Sequence, residues 1–237
     1  MSFQVTDWVW GSAVTTLSCA GRVEGVVPDV SPLNLPAAER RRLTPLASLA
    51  LSAGERLVGG RSADALQSVP LVYASRNGDG AVLLKLLTAI RDRQPVSPTQ
   101  FHNSVHNAPA GYWSIGLSAR APTTALAAGD DTLEVALVEA GLQACSRKGP
   151  VLLLVAQRIF PPELQVARPA TDDFVLGAWC EPASGATGWQ CRVSSGLLSD
   201  SPHELPLAMS VSERGRQGLV GQRAIGRLAA TLEISEA

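Results

Sequence analysis

The sequence predicts an α/β fold built in layers, in which a mostly parallel central sheet is flanked by helices. Strand-like runs alternate with segments of helical periodicity along most of the chain, and this alternation is typical of parallel sheets. One run, residues 151–156, is apolar at every position, as expected for a strand that is covered on both faces. The 237 residues, of which 46% are hydrophobic and 17% charged, suffice for one large domain with a sizeable core.

The first 58 residues predict a strand, a long connection and a helix. Residues 5–10 are apolar and aromatic, which favours the strand, whereas the prolines and glycines in 11–36 predict a long covering loop. Leucine and alanine recur at helical spacing over 37–58. We expect Pro45 to kink or split this helix, because proline has no backbone N–H to donate.

A second strand and helix follow, and a polar turn joins them. The apolar run 69–74 predicts the strand, and 81–92 predicts a helix that is apolar on most sides. The Asn-Gly-Asp-Gly sequence between them lacks the Gly-Lys-Ser/Thr of a phosphate-binding loop. We therefore interpret it as a tight turn at the end of the strand.

The middle of the chain predicts a strand that passes through a turn into a helix. Residues 107–118 fit either a helix or a strand by pattern, 123–128 fit a strand, and 131–145 fit a helix. Asp131 and Glu134 have the spacing of a capping box, which would satisfy free N–H groups at the start of that helix.

The remaining residues predict two further strands, a loop and a terminal helix. The strands are expected at 174–179 and, from a weaker pattern, at 189–194, and the loop at 197–206. Leucine and isoleucine at helical spacing predict the terminal helix over 216–232. Four arginines, Arg214, Arg216, Arg223 and Arg227, form a modest basic face. We interpret this face as solvated, and a contact with an acidic partner protein is the alternative.

Bulk properties argue against several classes of function. The formal net charge of −1 gives no reason to expect a nucleic acid or an anionic membrane as partner, and no apolar run is long enough to span a bilayer. The first residues lack the basic start and long apolar core of a signal peptide, so we expect a cytoplasmic location. The four cysteines form no C-x-x-C pair, which favours free thiols over a zinc site or disulfides.

The stretch 97–128 carries two of the three histidines and leads directly into a Gly-Asp-Asp turn. A strand that passes through a tight turn into a helix N-terminus is the arrangement in which many enzymes present a nucleophile. The residue presented here is Asp130.

The same stretch resembles the β-ketoacyl synthases of the thiolase fold. The resemblance rests on a Ser-Pro start, a Ser-apolar-x-Asn core and an Ala-Gly-x-x-Ser-Ile continuation. These motifs are Ser97-Pro98, Ser104-Val105-His106-Asn107 and Ala110-Gly111-Tyr112-Trp113-Ser114-Ile115. The chain is most similar to short synthase-like N-terminal-domain proteins found with aryl polyene biosynthesis, which look like chain length factors, the inactive partners of ketosynthases.

The resemblance implies a half-length thiolase-like fold in a single domain, 1–237. Residues 1–180 resemble the N-terminal half of a ketosynthase, and 181–237 form a divergent extension. A complete ketosynthase has a second half that supplies two histidines, and this length has no room for it. His203 lies in a Ser-Pro-His-Glu segment that does not match the family's histidine motifs.

By the same alignment Asp130 replaces the nucleophilic cysteine, so no catalytic residue occupies the matching positions. Claisen condensation needs a thiolate to carry the acyl chain, and a carboxylate that attacked a thioester would give a labile anhydride. We interpret Asp130, together with Asp131, as a cap for the following helix.

The resemblance also implies which residues meet a partner or line its acyl tunnel. Aromatic enrichment fits an interface on physical grounds, and a plain core position is the alternative for the aromatic residues. Val105 matches a position at the end of the acyl pocket, where side-chain volume limits chain growth. The family's dimer joins two sheets through the strand at 123–128, so a partner would bury that edge. The implied interface and tunnel residues are Phe101, His102, Ser104, Val105, His106, Asn107, Tyr112, Trp113, Thr123, Thr124 and Leu126.

His102 and His106 are four residues apart, the spacing that places two metal ligands on one face of a helix. No pattern supplies a third ligand, so we expect neither a metal nor another cofactor. Both histidines are instead interpreted as interface or pocket-wall residues.

These observations predict a non-catalytic subunit, similar to a chain length factor, that forms a heterodimer with an active β-ketoacyl–acyl carrier protein synthase. It would shape the acyl tunnel of that enzyme in aryl polyene or polyketide biosynthesis, and acyl carrier protein would meet it only through the complex. One alternative is a stand-alone hydrolase or acyltransferase that uses Asp130 with His102 or His106. The other is a purely structural scaffold of the ketosynthase.

Overall fold

The structure is a computed structural model of the chain, and it describes residues 2–11, 17–19, 22–24, 35–58, 61–165, 173–182, 189–195, 221–224 and 230–236. Ten strands lie in these ranges and belong to one sheet. They are β1 (Ser2–Gly11), β2 (Leu17–Cys19), β3 (Arg22–Glu24), β4 (Leu71–Ala74), β5 (Thr123–Leu126), β6 (Val151–Gln157), β7 (Phe174–Pro182), β8 (Trp189–Ser195), β9 (Gly221–Ala224) and β10 (Ala230–Glu236). Their order is β5-β4-β6-β7-β1-β8-β10-β9, and β2 pairs with β1 and β3.

The helices confirm the predicted sequence of elements through the middle of the chain. They are α1 (Ala37–Arg40), α2 (Pro45–Val58), α3 (Ala63–Leu66), α4 (Gly80–Arg91), α5 (Pro98–Ser104), α6 (Ala108–Leu117), α7 (Thr132–Arg147) and α8 (Pro162–Gln165). The helix expected over 37–58 is split, and α2 begins on Pro45. Proline is favoured at the first position of a helix, because a backbone N–H there would have no partner within the helix. The ambiguous segment 107–118 forms a helix. No helix among the described residues has the length and apolar character needed to cross a membrane.

The α/β fold with a central sheet flanked by helices is confirmed, but the sheet is mixed rather than mostly parallel. Among the described strands, only β4 pairs in parallel, with β5 on one side and β6 on the other. Helical connections separate these three strands, and parallel pairing needs such crossovers. In the described part of the connection from β6 to β7 lies the four-residue α8, and β7 runs antiparallel to β6. The pairs formed by β1, β8, β9 and β10 are antiparallel as well.

Helices cover both faces of the central strands and enclose two apolar clusters. On one face α7 packs on the sheet, where its alanines and leucines meet Leu153 and Val155 of β6. On the other face α2 and α6 pack against Leu152 and Leu154. The first six residues of β6 are all buried, which confirms the prediction of a strand covered on both sides.

Two predictions near the ends of the chain need correction. The loop expected over 11–36 begins with Gly11, the last residue of β1, and contains the hairpin-like pair β2 and β3. Leu35 and Pro36 lead into α1, and the other residues of this range lie outside the described ones. The helix predicted for 216–232 is wrong, because β9 and β10 occupy this part of the chain and β10 pairs with β8. Leu232 and Ile234 alternate with polar residues, a period of two that favours a strand. The loop expected at 197–206 lies outside the described residues.

Candidate functional site

The end strand β5 has an edge that no described strand covers. On its inner side, Leu71 N–H donates to the Pro122 carbonyl at 3.1 Å and Ser75 N–H donates to the Leu126 carbonyl at 3.2 Å. Successive residues of a strand direct their backbone groups to opposite sides, so Thr123 and Ala125 direct theirs away from the sheet. An open edge of this kind is a template for pairing with another strand.

The two faces of β5 also differ in how far their side chains are buried. Thr123 and Ala125 are aligned with Leu71 and Tyr73 of β4, which belong to the cluster under α2 and α6. Their neighbours in the sheet are buried, but Thr123 and Ala125 are exposed. On the face of α7, Thr124 and Leu126 are half-buried, and Gln143 Nε2 donates to Thr124 Oγ1 at 2.9 Å. The described part of the chain therefore covers one face of β5 and leaves the other exposed.

A short turn, the 3-10 helix Gly129–Asp131, follows β5 and carries the position expected for a nucleophile. Asp130 forms an ion pair with Arg76, which lies just after β4. The carboxyl ends of neighbouring parallel strands meet at one end of the sheet, so these two side chains come together. Asp130 is 61% exposed and Arg76 only 23%.

The helix cap predicted from Asp130 and Asp131 is wrong. Asp131 is the N-cap residue of α7, but its side chain makes no capping hydrogen bond. The Thr132 hydroxyl holds the turn instead: it accepts from Ala128 N–H at 3.0 Å and donates to the Gly129 carbonyl at 2.6 Å. Asp130 instead forms the ion pair with Arg76.

His106 ties the turn between α5 and α6 to the end of β5. Its Nε2 lies 2.8 Å from the Leu126 carbonyl oxygen, and since a carbonyl only accepts, Nε2 carries a proton. The ring also lies against Tyr73, with ring centroids 5.8 Å apart. Burial raises the pKa of Tyr73 above its usual range, so its phenol stays neutral.

These contacts do not assemble a histidine–aspartate relay. Asp130 is paired with Arg76, His106 donates to a backbone carbonyl, and His102 lies edge-on to Tyr112 at 6.1 Å. Within the described ranges, no three His, Cys, Asp or Glu side chains converge on a point where a metal ion could bind.

The aromatic residues of the 97–128 stretch separate into core and surface. Tyr112 and Trp113 are 1% and 6% exposed in the cluster under α2 and α6. This burial favours the alternative of core aromatics, and their place at the interface or the tunnel wall stays a prediction. Both still line an apolar cavity between α2 and α6 with Leu51 and Leu117. Phe101, in contrast, is 65% exposed.

Sequence reasoning missed Asn103, a buried polar residue that links three segments. Its Oδ1 accepts from the Tyr112 hydroxyl at 2.8 Å, and its Nδ2 donates to the Arg42 carbonyl at 2.7 Å. Burial raises the pKa of Tyr112, and the hydrogen bond to Asn103 offsets part of that rise. Arg76 was also missed: it lies directly after β4, and only the pairing of β4 with β5 brings it to Asp130.

The remaining predicted residues differ in how exposed they are. Val105 is 46% exposed, and the Ser104 hydroxyl turns back to the Phe101 carbonyl at 2.7 Å. Asn107 is the N-cap residue of α6 without a side-chain capping bond. The exposed members are Phe101, His102, Ser104, Val105, Asn107 and Thr123, and the half-buried members are His106, Thr124 and Leu126.

Most of the chain matches a known protein family. Residues 22–222 match the model of the beta-ketoacyl synthase, N-terminal domain, which is most of the chain. The chain therefore belongs to the β-ketoacyl synthase N-terminal domain family. No curated protein sequence is significantly similar to it.

Solved structures show the same thiolase-like ketosynthase fold. A chain of the complex between a ketosynthase (ApeO) and its chain length factor (ApeC) from Xenorhabdus doucetiae matches with a TM-score of 0.69 at 21% identity, over 100% of both chains. A β-ketoacyl synthase from Burkholderia phymatum STM815 matches with a TM-score of 0.60 at 13% identity, over 96% of this chain and 76% of that one. The ishigamide ketosynthase/chain length factor matches with a TM-score of 0.56 at 12% identity, over 85% and 64%.

Proposed function

We propose that the chain is a non-catalytic, cytoplasmic subunit, similar to a chain length factor, that forms a heterodimer with an active β-ketoacyl–acyl carrier protein synthase. One observation carries the proposal. The turn after the open edge strand, where the family resemblance places a nucleophilic cysteine, holds Asp130 in an ion pair with Arg76. An aspartate at this position supplies no thiolate for the condensation.

The proposed interface is the open edge of β5. The backbone groups of Thr123 and Ala125 point outward there, and the same two residues are exposed on the face of α6. An edge that pairs with a strand of the ketosynthase would join two sheets into one and remove an aggregation-prone surface. Similarity to a chain of the ApeO–ApeC complex over its full length supports a partner of this kind.

The proposed influence on product length depends on Phe101 and Val105. Both are exposed apolar residues, and Val105 directly precedes His106, which is bound to the end of β5. In the heterodimer these side chains would close the far end of the ketosynthase tunnel, because a filled pocket admits extra methylenes only at a cost. Aryl polyene or another polyketide is the proposed product class, and acyl carrier protein would meet the subunit through the complex.

Co-expression with a candidate ketosynthase from the same organism tests the pairing. We expect a stable one-to-one complex by native mass measurement, and condensing activity that the purified chain alone does not have. Full condensing activity of the chain on its own, or a well-behaved monomer that ignores every candidate ketosynthase, would contradict the proposal.

Product analysis separates tunnel shaping from a purely structural role. Val105→Phe is expected to shorten the products of the complex and Phe101→Ala to lengthen them, since the first fills space and the second opens it. Ile159→Phe, at an exposed apolar residue after β6, is the matched control and should leave products unchanged. Identical products from all three complexes would favour the scaffold alternative.

A further inference from the structure

Helix α5 carries the exposed apolar side chains on which the proposed control of product length depends. Phe101 lies within this helix and Val105 directly follows it. Asn103 is its buried residue and Gln100 is half-buried, whereas its other side chains are exposed. A helix of a folded protein is normally fixed by an apolar face that packs on the core. α5, whose seven residues are all described, has no such face.

Asn103 supplies two directional contacts in place of apolar packing. Its Nδ2 donates to the Arg42 carbonyl, shortly before α2, at 2.7 Å, and its Oδ1 accepts from the Tyr112 hydroxyl of α6 at 2.8 Å. Asn103 is 7% exposed and Tyr112 is 1% exposed, so water does not compete freely for either bond. Because a hydrogen bond restricts both distance and angle, the two bonds together define where α5 lies.

A small cavity borders the same segment, so packing alone does not hold α5 in one position. Asn103, Val105 and His106 line this cavity together with Thr44 and Tyr73. A well-filled interior resists even small shifts of its side chains, and a cavity removes that resistance on one side. The two hydrogen bonds of Asn103 therefore decide between positions that packing would allow.

We propose that Asn103 is a positioning residue, which fixes α5 so that Phe101 and Val105 close the ketosynthase tunnel at one depth. Asn103 acts through those two side chains, because it is itself buried. His106 holds the end of the segment through the Leu126 carbonyl, so loss of the Asn103 bonds shifts α5 without detaching it. This inference rests on the proposed function, in particular on tunnel shaping by Phe101 and Val105.

Product analysis of the co-expressed complex tests the inference. Tyr112→Phe removes one of the two bonds with almost no change in volume. It is expected to lower the ratio of the main product to products one condensation step longer or shorter by about 2- to 10-fold, which is the population change that corresponds to one buried hydrogen bond. Asn103→Ala removes both bonds and should lower the ratio further.

A double substitution separates positioning from a general loss of stability. In Asn103→Leu/Tyr112→Phe, apolar groups of similar shape replace both partners, which can be nearly neutral for stability, but the link to the Arg42 carbonyl is gone. We expect a Tm above that of Asn103→Ala and products that are just as mixed. Val151→Ala, at a buried residue on the opposite face of the sheet, is the control that should lower the Tm and leave the product ratio unchanged.

Two results would overturn the inference and leave the proposed function standing. One is a product ratio that follows the Tm, with mixed products from Val151→Ala and a restored ratio in the double variant. The other is an unchanged ratio in Tyr112→Phe and Asn103→Ala while Val105→Phe shortens the products. If Asn103→Ala forms no complex, Tyr112→Phe alone decides.

A different pattern would show that the proposed function itself fails. If Val105→Phe and Phe101→Ala leave the products of the complex unchanged, the subunit does not shape the tunnel, and the role of Asn103 falls with it. If the wild-type chain forms no complex with a ketosynthase, the subunit proposal fails altogether.

Discussion

Strands β6 and β5 lie on either side of β4 and pair with it in the same parallel manner, yet their surroundings are opposite. β6 is seven residues long and its first six residues are buried. β5 has four residues, alternately exposed and half-buried, and no described strand covers its outer edge. The first strand is enclosed entirely by its own chain, and the second only in part.

The difference indicates that β6 stabilises the folded subunit, whereas β5 is available for assembly with a partner. β6 supplies apolar side chains to both clusters, so burial there stabilises the isolated subunit. β5 adds little to either cluster and ends in polar contacts through Asp130 and His106. We therefore expect substitutions in β6 to unfold the protein, and substitutions around β5 to act mainly on the complex.

The largest effect on stability is expected at the centre of β6. Leu153 is fully buried in the cluster beneath α7, so Leu153→Ala should lower the free energy of unfolding by about 2–5 kcal/mol, as measured by urea denaturation. Leu142→Ala, at a leucine that is 48% exposed, is the matched control and should change it by less than about 0.5 kcal/mol. Equal effects of the two substitutions would contradict the burial described for β6.

A smaller loss is expected from Asn103, which anchors the segment beside β5. Asn103→Ala removes the acceptor of the Tyr112 hydroxyl and the donor to the Arg42 carbonyl, and should cost about 1–3 kcal/mol. Asn107→Ala, four residues later at an exposed position without a side-chain capping bond, should stay within about 0.5 kcal/mol. Thermal unfolding of both variants measures the two losses of stability. An unchanged stability of Asn103→Ala would contradict the two buried hydrogen bonds of Asn103.

The two tyrosines of the chain make stability fall at high pH. Burial raises the pKa of both Tyr73 and Tyr112 in the folded state above the unfolded value of about 10. The folded state then holds protons that the unfolded state has lost, so stability is complete below about pH 10 and falls as the pH rises above it.

Tyrosinate absorbance, followed together with circular dichroism, measures this effect. We expect the absorbance to rise only where the secondary structure is lost, and near pH 10 when the protein is kept in urea. A rise near pH 10 with an unchanged dichroism signal would show that the tyrosines are accessible in the folded protein.

The smallest effect is expected at Asp130. Asp130→Asn removes a partly exposed ion pair with Arg76, which should cost less than about 1 kcal/mol and leave the activity of the complex intact. Loss of activity with an intact complex would instead support the alternative in which Asp130 acts as a nucleophile. Asp92→Asn, in another exposed ion pair, controls for the general effect of removing a surface charge.

Sequence patterns predicted the middle of the molecule well because the signals there are local. Pro45 split a helix, continuous apolar residues defined β6, and the strand–turn–helix around Asp130 was confirmed. The family resemblance rested on short motifs in the same stretch, and the family match confirmed it.

The rest depended on pairing between distant segments. The antiparallel order of β7, β1 and β8 joins the first strand of the chain to strands more than 160 residues away, and no local periodicity encodes such pairing. The Asp130–Arg76 ion pair arises only because β4 and β5 are neighbours. Buried Asn103 and buried Trp113 have the polar or aromatic character that in sequence also fits a surface, and only packing assigns them to the core.

Native mass measurement of the co-expressed pair, with and without Ala125→Pro, tests the central claim most directly. The Ala125 N–H points to the open edge, so proline removes a donor from the proposed interface without removing a hydrogen bond to β4. We predict a one-to-one complex with the ketosynthase for the wild type and for Ala125→Ser, and separate subunits for Ala125→Pro with unchanged circular dichroism. An intact complex for Ala125→Pro would contradict pairing through β5, and no complex for the wild type would contradict the proposed subunit altogether.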